Sequence, residues 1–230
     1  MPTPLEPSVW DFPTLEQMPK DDLVILGADL KPETVIDSYK HGIFPMHVEV
    51  ANKREIGWWS PQQRGILPLN KINISKSLRK SMKKFQVTFD QAFDQVIEGC
   101  GDDKRPQGWI NKEIKIAYKK LFELGYVHSV EVWNKNDELV GGLYGVEVRG
   151  LFAGESMFHK ETDASKTAMV YLVNKLKEAG GERIFDVQWQ TSHLKSMGVI
   201  KIPRSKYLSL LPEVMKTKPA FYYNFITLDS

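Results

Sequence analysis

Cysteine is almost missing from this sequence: Cys100 is the one thiol in 230 residues. A lone thiol excludes an internal disulfide and a Cys-ligated zinc site, and it fits a reducing cytoplasm. Long apolar runs are missing too, since no window approaches the roughly 18 uninterrupted apolar residues of a membrane-spanning helix. Met1 to Gln17 carries four prolines and several acids but no basic-then-apolar start, so no secretory signal peptide is expected. A surplus of one charge sign is also absent. The 31 basic and 29 acidic residues leave +2, which by itself implies no polyanionic partner. What remains, 42% hydrophobic and 26% charged, is globular composition for one large or two unequal domains.

One local absence is more informative than the total. No acid interrupts Lys71 to Lys84, and those fourteen residues hold Lys71, Lys76, Arg79, Lys80, Lys83 and Lys84. The positions 76, 79/80 and 83/84 recur at helical spacing and predict one basic stripe. Such a stripe suits a phosphate backbone, and it equally suits a solvated helix face.

Residues 1 to about 62 stand apart through their prolines and aromatics (Trp10, Phe12, Pro13, Phe44, Pro45, Trp58, Trp59, Pro61). Pro32 there suits the first position of a helix. From Ile72 onward the pattern is regular: the basic helix, a strand at Gln86–Phe89, and helices around Asp90–Gly99 and Asn111–Leu124. Apolar runs at Ser129–Trp133 and Leu139–Val148, separated by five polar residues, predict a β-hairpin, and Leu151–Met157 extends the meander. Ala164–Ala179 reads as an amphipathic helix burying Ala168, Met169, Leu172, Val173 and Leu176, ended by Gly180-Gly181. Arg183–Trp189 is strand-like, and Lys201 onward reads as a short tail. Helices mixed with an antiparallel meander predict the α+β class.

Several residues are candidates for chemistry. In the strand Arg183–Trp189, alternation places Asp186 and Gln188 on one face. That face is either the wet side of an edge strand or a polar patch that orients a nucleophile, with Asp186 anchoring a cation. Glu155, between apolar neighbours, needs a partner, which a lysine or a cationic substrate would supply. Gly141, Gly142, Gly145, Gly150 and Gly154 read as bulges of a twisted sheet, because neither a P-loop nor a GxGxxG signature is present. Trp58, Trp59 and Trp109 are packing anchors or stacking surfaces for an unpaired base. His41, His47, His128, His159 and His193 lack metal-ligand spacing and read as structural or solvated.

An ordered set of segments carries a resemblance. They are Leu26–Leu30, Tyr39–Pro45, Gly57–Pro61, His128–Trp133, Leu139–Val146, Gly154–Phe158, Asp163–Lys166, Asp186–Gln188 and His193-Leu194. Together, from about residue 20 to 208, they resemble the leucyl/phenylalanyl-tRNA–protein transferases. The resemblance implies a small N-terminal domain (1–62) beside a larger catalytic domain (63–230). The larger domain would resemble the acyl-CoA N-acyltransferase (GNAT-like) fold, with a mixed, mainly antiparallel sheet. It implies transfer of Leu or Phe, with Met as a further donor, from aminoacyl-tRNA to the α-amine of an N-terminal Arg or Lys. The product would be an N-degron that marks the protein for degradation.

By the same resemblance, Asp186 and Gln188 would sit at the reacting centre and Glu155 would hold the substrate. Leu143, Met157, Met169 and Phe185 would line the pocket for the donor side chain. Trp58, Trp59 and Trp109 would contact the terminal adenosine, and Lys76, Arg79, Lys80, Lys83 and Lys84 would bind the tRNA. No metal or organic cofactor and no membrane are implied. The sequence departs from the family pattern at Met46, His159 and Phe185. The bulk of Phe185 would narrow the pocket in favour of Leu or Met, and strict alternation puts it opposite Asp186.

Two other readings compete. An acyl-CoA-dependent N-acetyltransferase of the same fold would need a pyrophosphate-binding signature, and Gln62-Gln63-Arg64-Gly65-Ile66-Leu67 fails it at the last position. A non-catalytic tRNA-binding module would account for the basic stripe and tryptophans but leaves Glu155, Asp186 and Gln188 without a role.

Overall fold

Residues 2–101 and 110–221 are described by the computed structural model. Pro32 opens the first helix, as its fixed φ and missing N–H favour. The chain runs β1 (Leu23–Leu26), α1 (Pro32–Lys40), β2 (Phe44–Val50), β3 (Lys53–Trp59), β4 (Gln63–Leu67), α2 (Lys76–Met82), β5 (Gln86–Phe89), α3 (Phe93–Cys100) and α4 (Lys112–Glu123). It continues with β6 (Val127–Trp133), β7 (Leu139–Val148), β8 (Leu151–His159), α5 (Ala164–Glu178), β9 (Ile184–Asp186), α6 (Ser192–Ser196), β10 (Ile200–Pro203) and α7 (Arg204–Val214).

Two sheets result. A small antiparallel one has the order β1-β3-β2, and Pro45, which lacks a ladder N–H, lies on its edge strand β2. The large one has seven strands in the order β10-β4-β9-β8-β7-β6-β5. All its pairs are antiparallel except β8 with β9, so the sheet is mixed and mainly antiparallel. The predicted hairpin is β6–β7. Both its strands are buried almost throughout, because α5 covers one face of the sheet and α3 and α4 cover the other. Gly141 on β7 permits this: a Cβ there would lie 2.5 Å from the Cβ of Ala164 at the start of α5. The face expected on α5 (Ala168, Met169, Leu172, Val173, Leu176) is the buried one.

Three segments differ from the sequence reading. The tail after Lys201 is an edge strand and a helix, β10 and α7, with Tyr207, Leu211 and Val214 buried against the core. Gln63–Leu67 is a strand of the large sheet. The strand expected over Arg183–Trp189 stops at Asp186, because Gln188 adopts a left-handed backbone (φ 55°) that an extended strand cannot hold.

Candidate active site

The parallel pairing of β8 with β9 ends at Ala153↔Asp186, and beyond that rung the two chains part. On β8, Gly154 pairs with Gly145 and Ser156 with Tyr144, so Glu155 is an extra, unpaired residue. It is a β-bulge, a device that re-aims a side chain beside a site. Of the five glycines expected to mark bulges, Gly145 and Gly154 flank this one. On the other side, the chain leaving β9 turns back onto β4: Val187 N–H donates to Gly65 O at 2.9 Å, and Gly65 N–H donates to Gln188 O at 2.8 Å. A Cβ on Gly65 would come within 3.0 Å of the Gln190 backbone nitrogen, so this close approach needs glycine.

Between the parted chains lies a cavity of about 120 Å³. Its walls include Leu143, Met157, Met169, Phe185, Val187 and Leu194, with Glu155, Ser156 and Gln188 as the polar members. All four residues expected to line a side-chain pocket therefore surround one space, next to two of the three expected reactive residues. Phe185 reaches it despite preceding Asp186, because its ring packs edge-on against Phe152 and over Gly154, where a Cβ would approach to 2.9 Å.

Asp186 is fully buried and does not line that cavity. Its carboxylate accepts from Arg64 Nε at 2.9 Å and Nη2 at 2.5 Å, from Tyr207 Oη at 2.9 Å, and from the backbone N–H of Gln188 at 2.9 Å. The cation it anchors is Arg64, itself buried and lying over the rings of Phe44 and Tyr207. Burial opposes the Arg64 charge, yet Asp186 alongside it leaves the guanidinium above its ordinary range. Asp186, expected beside Gln188 at the reacting centre, thus stands behind it: its acceptor sites are taken, and its link to the cavity runs through the Gln188 backbone.

Among the described residues, Glu155 has tyrosines for partners and no lysine. Tyr39 Oη from α1 donates to Oε1 at 2.7 Å, Tyr118 Oη from α4 donates to Oε2 at 3.2 Å, and the two hydroxyls are 2.9 Å apart. Gln188 Nε2 donates to Oε1 at 3.4 Å. Burial pushes the Glu155 carboxyl up to about 8, and the nearby charge of Asp186 adds to that. The tyrosine hydroxyls and Arg64 act in the opposite direction. A carboxyl that titrates near neutrality, facing a cavity beside a carboxamide, can exchange a proton with an amine at physiological pH. Sequence reasoning missed Tyr39, Tyr118, Arg64 and Tyr207. A buried Arg–Asp pair leaves no periodic signal, and these residues stand 21 to 122 positions away from the groups they serve.

The other candidates among the described residues lie apart from this cavity. Trp58 is fully buried, its indole N–H donates to Gly27 O at 2.6 Å, and Phe12 packs edge-on against it. It is a packing anchor with no ring face open to a base, which corrects the expectation of an adenosine contact. Trp59 is half-buried, donates to Met46 O at 3.0 Å, and lies edge-on to Trp189. Trp109 lies outside the described residues. Lys76, Arg79 and Lys80 on α2, with Lys83 and Lys84 just past its end, are all exposed, while Leu78 faces inward. Arg79 and Lys83 border a groove of about 410 Å³ shared with Tyr171 and Asn174 of α5.

Among the described residues no helix is long and apolar enough to cross a membrane. Comparison with known proteins adds the family. The model of the leucyl/phenylalanyl-tRNA protein transferase family matches residues 66–212, and the model of its N-terminal domain matches residues 28–62. A leucyl/phenylalanyl-tRNA–protein transferase of Ruegeria pomeroyi is 44% identical over 180 residues, covering 77% of this chain and 83% of the relative. Among solved structures, L-PGS from Bacillus licheniformis aligns with a TM-score of 0.41 at 12% identity, covering 67% of this chain and 65% of that one.

Proposed function

This chain belongs to the leucyl/phenylalanyl-tRNA–protein transferase family, and on that premise we propose that it joins Leu or Phe, or Met as a third donor, to an N-terminal Arg or Lys. It is an aminoacyltransferase whose donor is aminoacyl-tRNA and whose acceptor is a protein. The product is an N-degron, and the reaction runs in the cytoplasm. One observation supports the placement of the chemistry best: the cavity walled by Leu143, Met157, Met169 and Phe185 opens onto Gln188 and Glu155.

In this reading the donor's side chain fills the apolar cavity, which brings its ester carbonyl to the polar rim. An aminoacyl ester is already activated, so aminolysis needs mainly positioning and removal of a proton. With Glu155 ionised, Gln188 directs its N–H toward that carboxylate and keeps its carbonyl oxygen to accept from the incoming α-amine. Asp186 fixes the loop that carries Gln188, and Glu155 attracts the cationic end of the acceptor. Trp59 and Trp109 border the terminal adenosine. The exposed cations of α2 seat the tRNA through its phosphates, without reading sequence. The division into an N-terminal domain of residues 1–62 and a catalytic domain of residues 63–230 follows the change from the small sheet to the large one.

The test is to incubate the protein with labelled Leu-tRNA or Phe-tRNA and an Arg-initiated peptide, with acetyl-CoA in a parallel tube. A peptide heavier by one Leu or Phe residue is the expected product. An acetylated peptide, or retained tRNA without product, would overturn the reading.

A further inference from the structure

We propose that Glu155 is the proton acceptor of the transfer step, and that Tyr39 and Tyr118 are positioning residues that hold it ready to ionise. The inference rests on the function proposed above and assigns a role that the Asp186–Gln188 pair cannot fill. Asp186 is saturated by Arg64, Tyr207 and the Gln188 backbone, and Gln188 is a neutral amide without useful basicity. Among the described residues, Glu155 is the one carboxylate on the cavity wall.

The proton balance requires such a group. An N-terminal α-amine titrates near 8, so most of it arrives as an ammonium at neutral pH. One proton must leave before the nitrogen lone pair can attack the ester carbonyl, and Glu155 takes it. As the C–N bond forms, the nitrogen becomes cationic. Its second proton passes to the ribose 3′ oxygen as the C–O bond breaks, leaving an amide and a neutral hydroxyl. Glu155 then returns its proton to water.

The geometry favours the ionised acceptor. With Glu155 charged, Tyr39, Tyr118 and Gln188 can all donate to it at once, which stabilises the carboxylate against burial. The groups facing it from the surrounding elements are Tyr39 of α1, Tyr118 of α4, Tyr144 of β7, Asp186 of β9 and Arg64 of β4. Asp186 and Arg64 largely cancel, since they are paired with each other. The two tyrosine hydroxyls are therefore the principal force that keeps Glu155 from staying neutral. Its titration near 8 matches that of an α-ammonium, so the proton passes between them at little cost.

The experiment measures kcat/KM for an Arg-initiated peptide with Phe-tRNA from pH 6 to 9, in the wild type, Tyr39→Phe, Tyr118→Phe and Glu155→Gln. Wild-type rates should climb toward a plateau near pH 8. Each tyrosine variant should move its rising limb upward by about one unit, which lowers the rate about tenfold at pH 7 and restores most of it at pH 9. Glu155→Gln should lose on the order of 100-fold near pH 7, where the α-amine arrives protonated, and less at pH 9, where water has already taken that proton. Titration of the peptide amine is common to all four enzymes and cannot shift between them. A rising limb that stays at the wild-type pH in both tyrosine variants, or a loss that is uniform with pH, would overturn the inference while leaving the transferase reading intact. Absence of any aminoacyl-peptide from the wild type would overturn both.

Discussion

The backbone N–H of Gln188 donates to Oδ1 of Asp186 at 2.9 Å, and this bond, rather than strand alternation, brings the two residues together. Strand β9 stops at Asp186, and Gln188 sits two residues later in a left-handed conformation that this bond helps to hold. The carboxylate is thereby a hub joining β4 (Arg64), α7 (Tyr207) and the loop that lines the cavity.

Asp186→Asn and Gln188→Ala should therefore fail differently. The first leaves the buried Arg64 guanidinium without its counter-charge, and breaking such a pair costs about 3–5 kcal/mol. Denaturant unfolding should show that loss. Gln188→Ala should keep stability within about 1 kcal/mol, because no buried charge is uncovered. It should lower turnover on the order of 100-fold, since positioning is lost. Wild-type turnover in Gln188→Ala would contradict its role.

The stability of Glu155→Gln should depend on pH in a fixed direction. The Glu155 carboxyl titrates higher in the folded protein, about 8, than its ordinary 4.5. Between those values the folded state binds a proton that the unfolded state lacks, so the wild type loses stability as pH rises from 4.5 to 8 and levels off beyond. The glutamine variant carries no such titration. Melting temperatures of the two proteins should be close near pH 4.5, and the variant should gain on the wild type until about pH 8. A constant gap would show that Glu155 titrates normally.

Donor choice should respond to Phe185. Its ring is wedged between Phe152 and Gly154 and narrows the cavity. Phe185→Leu removes bulk at the wall, so the ratio of Phe to Leu transfer should rise about tenfold, the low end of the roughly 10–200-fold range that one methylene commands. Competition assays with both charged tRNAs would measure it. An unchanged ratio would place the donor side chain elsewhere.

Salt dependence should report the cations of α2. Lys80→Ala and Lys83→Ala should each weaken tRNA binding and lower the slope of log K against log salt by up to about 0.9 for every phosphate left without its cation. Transfer from a short aminoacyl-adenosine donor should be unaffected by either change. Equal impairment with the short donor would move these residues from RNA binding to the fold.

Much of this architecture is legible in the sequence. The hairpin, the buried face of α5 and the exposed stripe of α2 follow from short-range periodicity, which repeats along one element and so survives in the order of residues. The apolar wall of Leu143, Met157, Met169 and Phe185 came from the family resemblance, as did the pairing of Gln188 with Glu155 in one cleft. What stayed hidden depends on chain crossings. Nothing local distinguishes Tyr39 and Tyr118 from other helical tyrosines, and their hydroxyls acquire a purpose only when α1 and α4 converge on the Glu155 bulge. Trp58 looked like its neighbour Trp59, yet alternation on β3 buries the first and leaves the second half-open.

The proposed chemistry stands on the cavity beside Gln188 and Glu155 holding the donor's side chain during attack. A crystal structure with an adenosine carrying leucine through a stable 3′-amide examines this without intermediate steps. The leucine side chain should lie among Leu143, Met157, Met169 and Phe185, with its carbonyl carbon facing Gln188. Density for that ligand at any other place, with this cavity unfilled, would contradict the assignment.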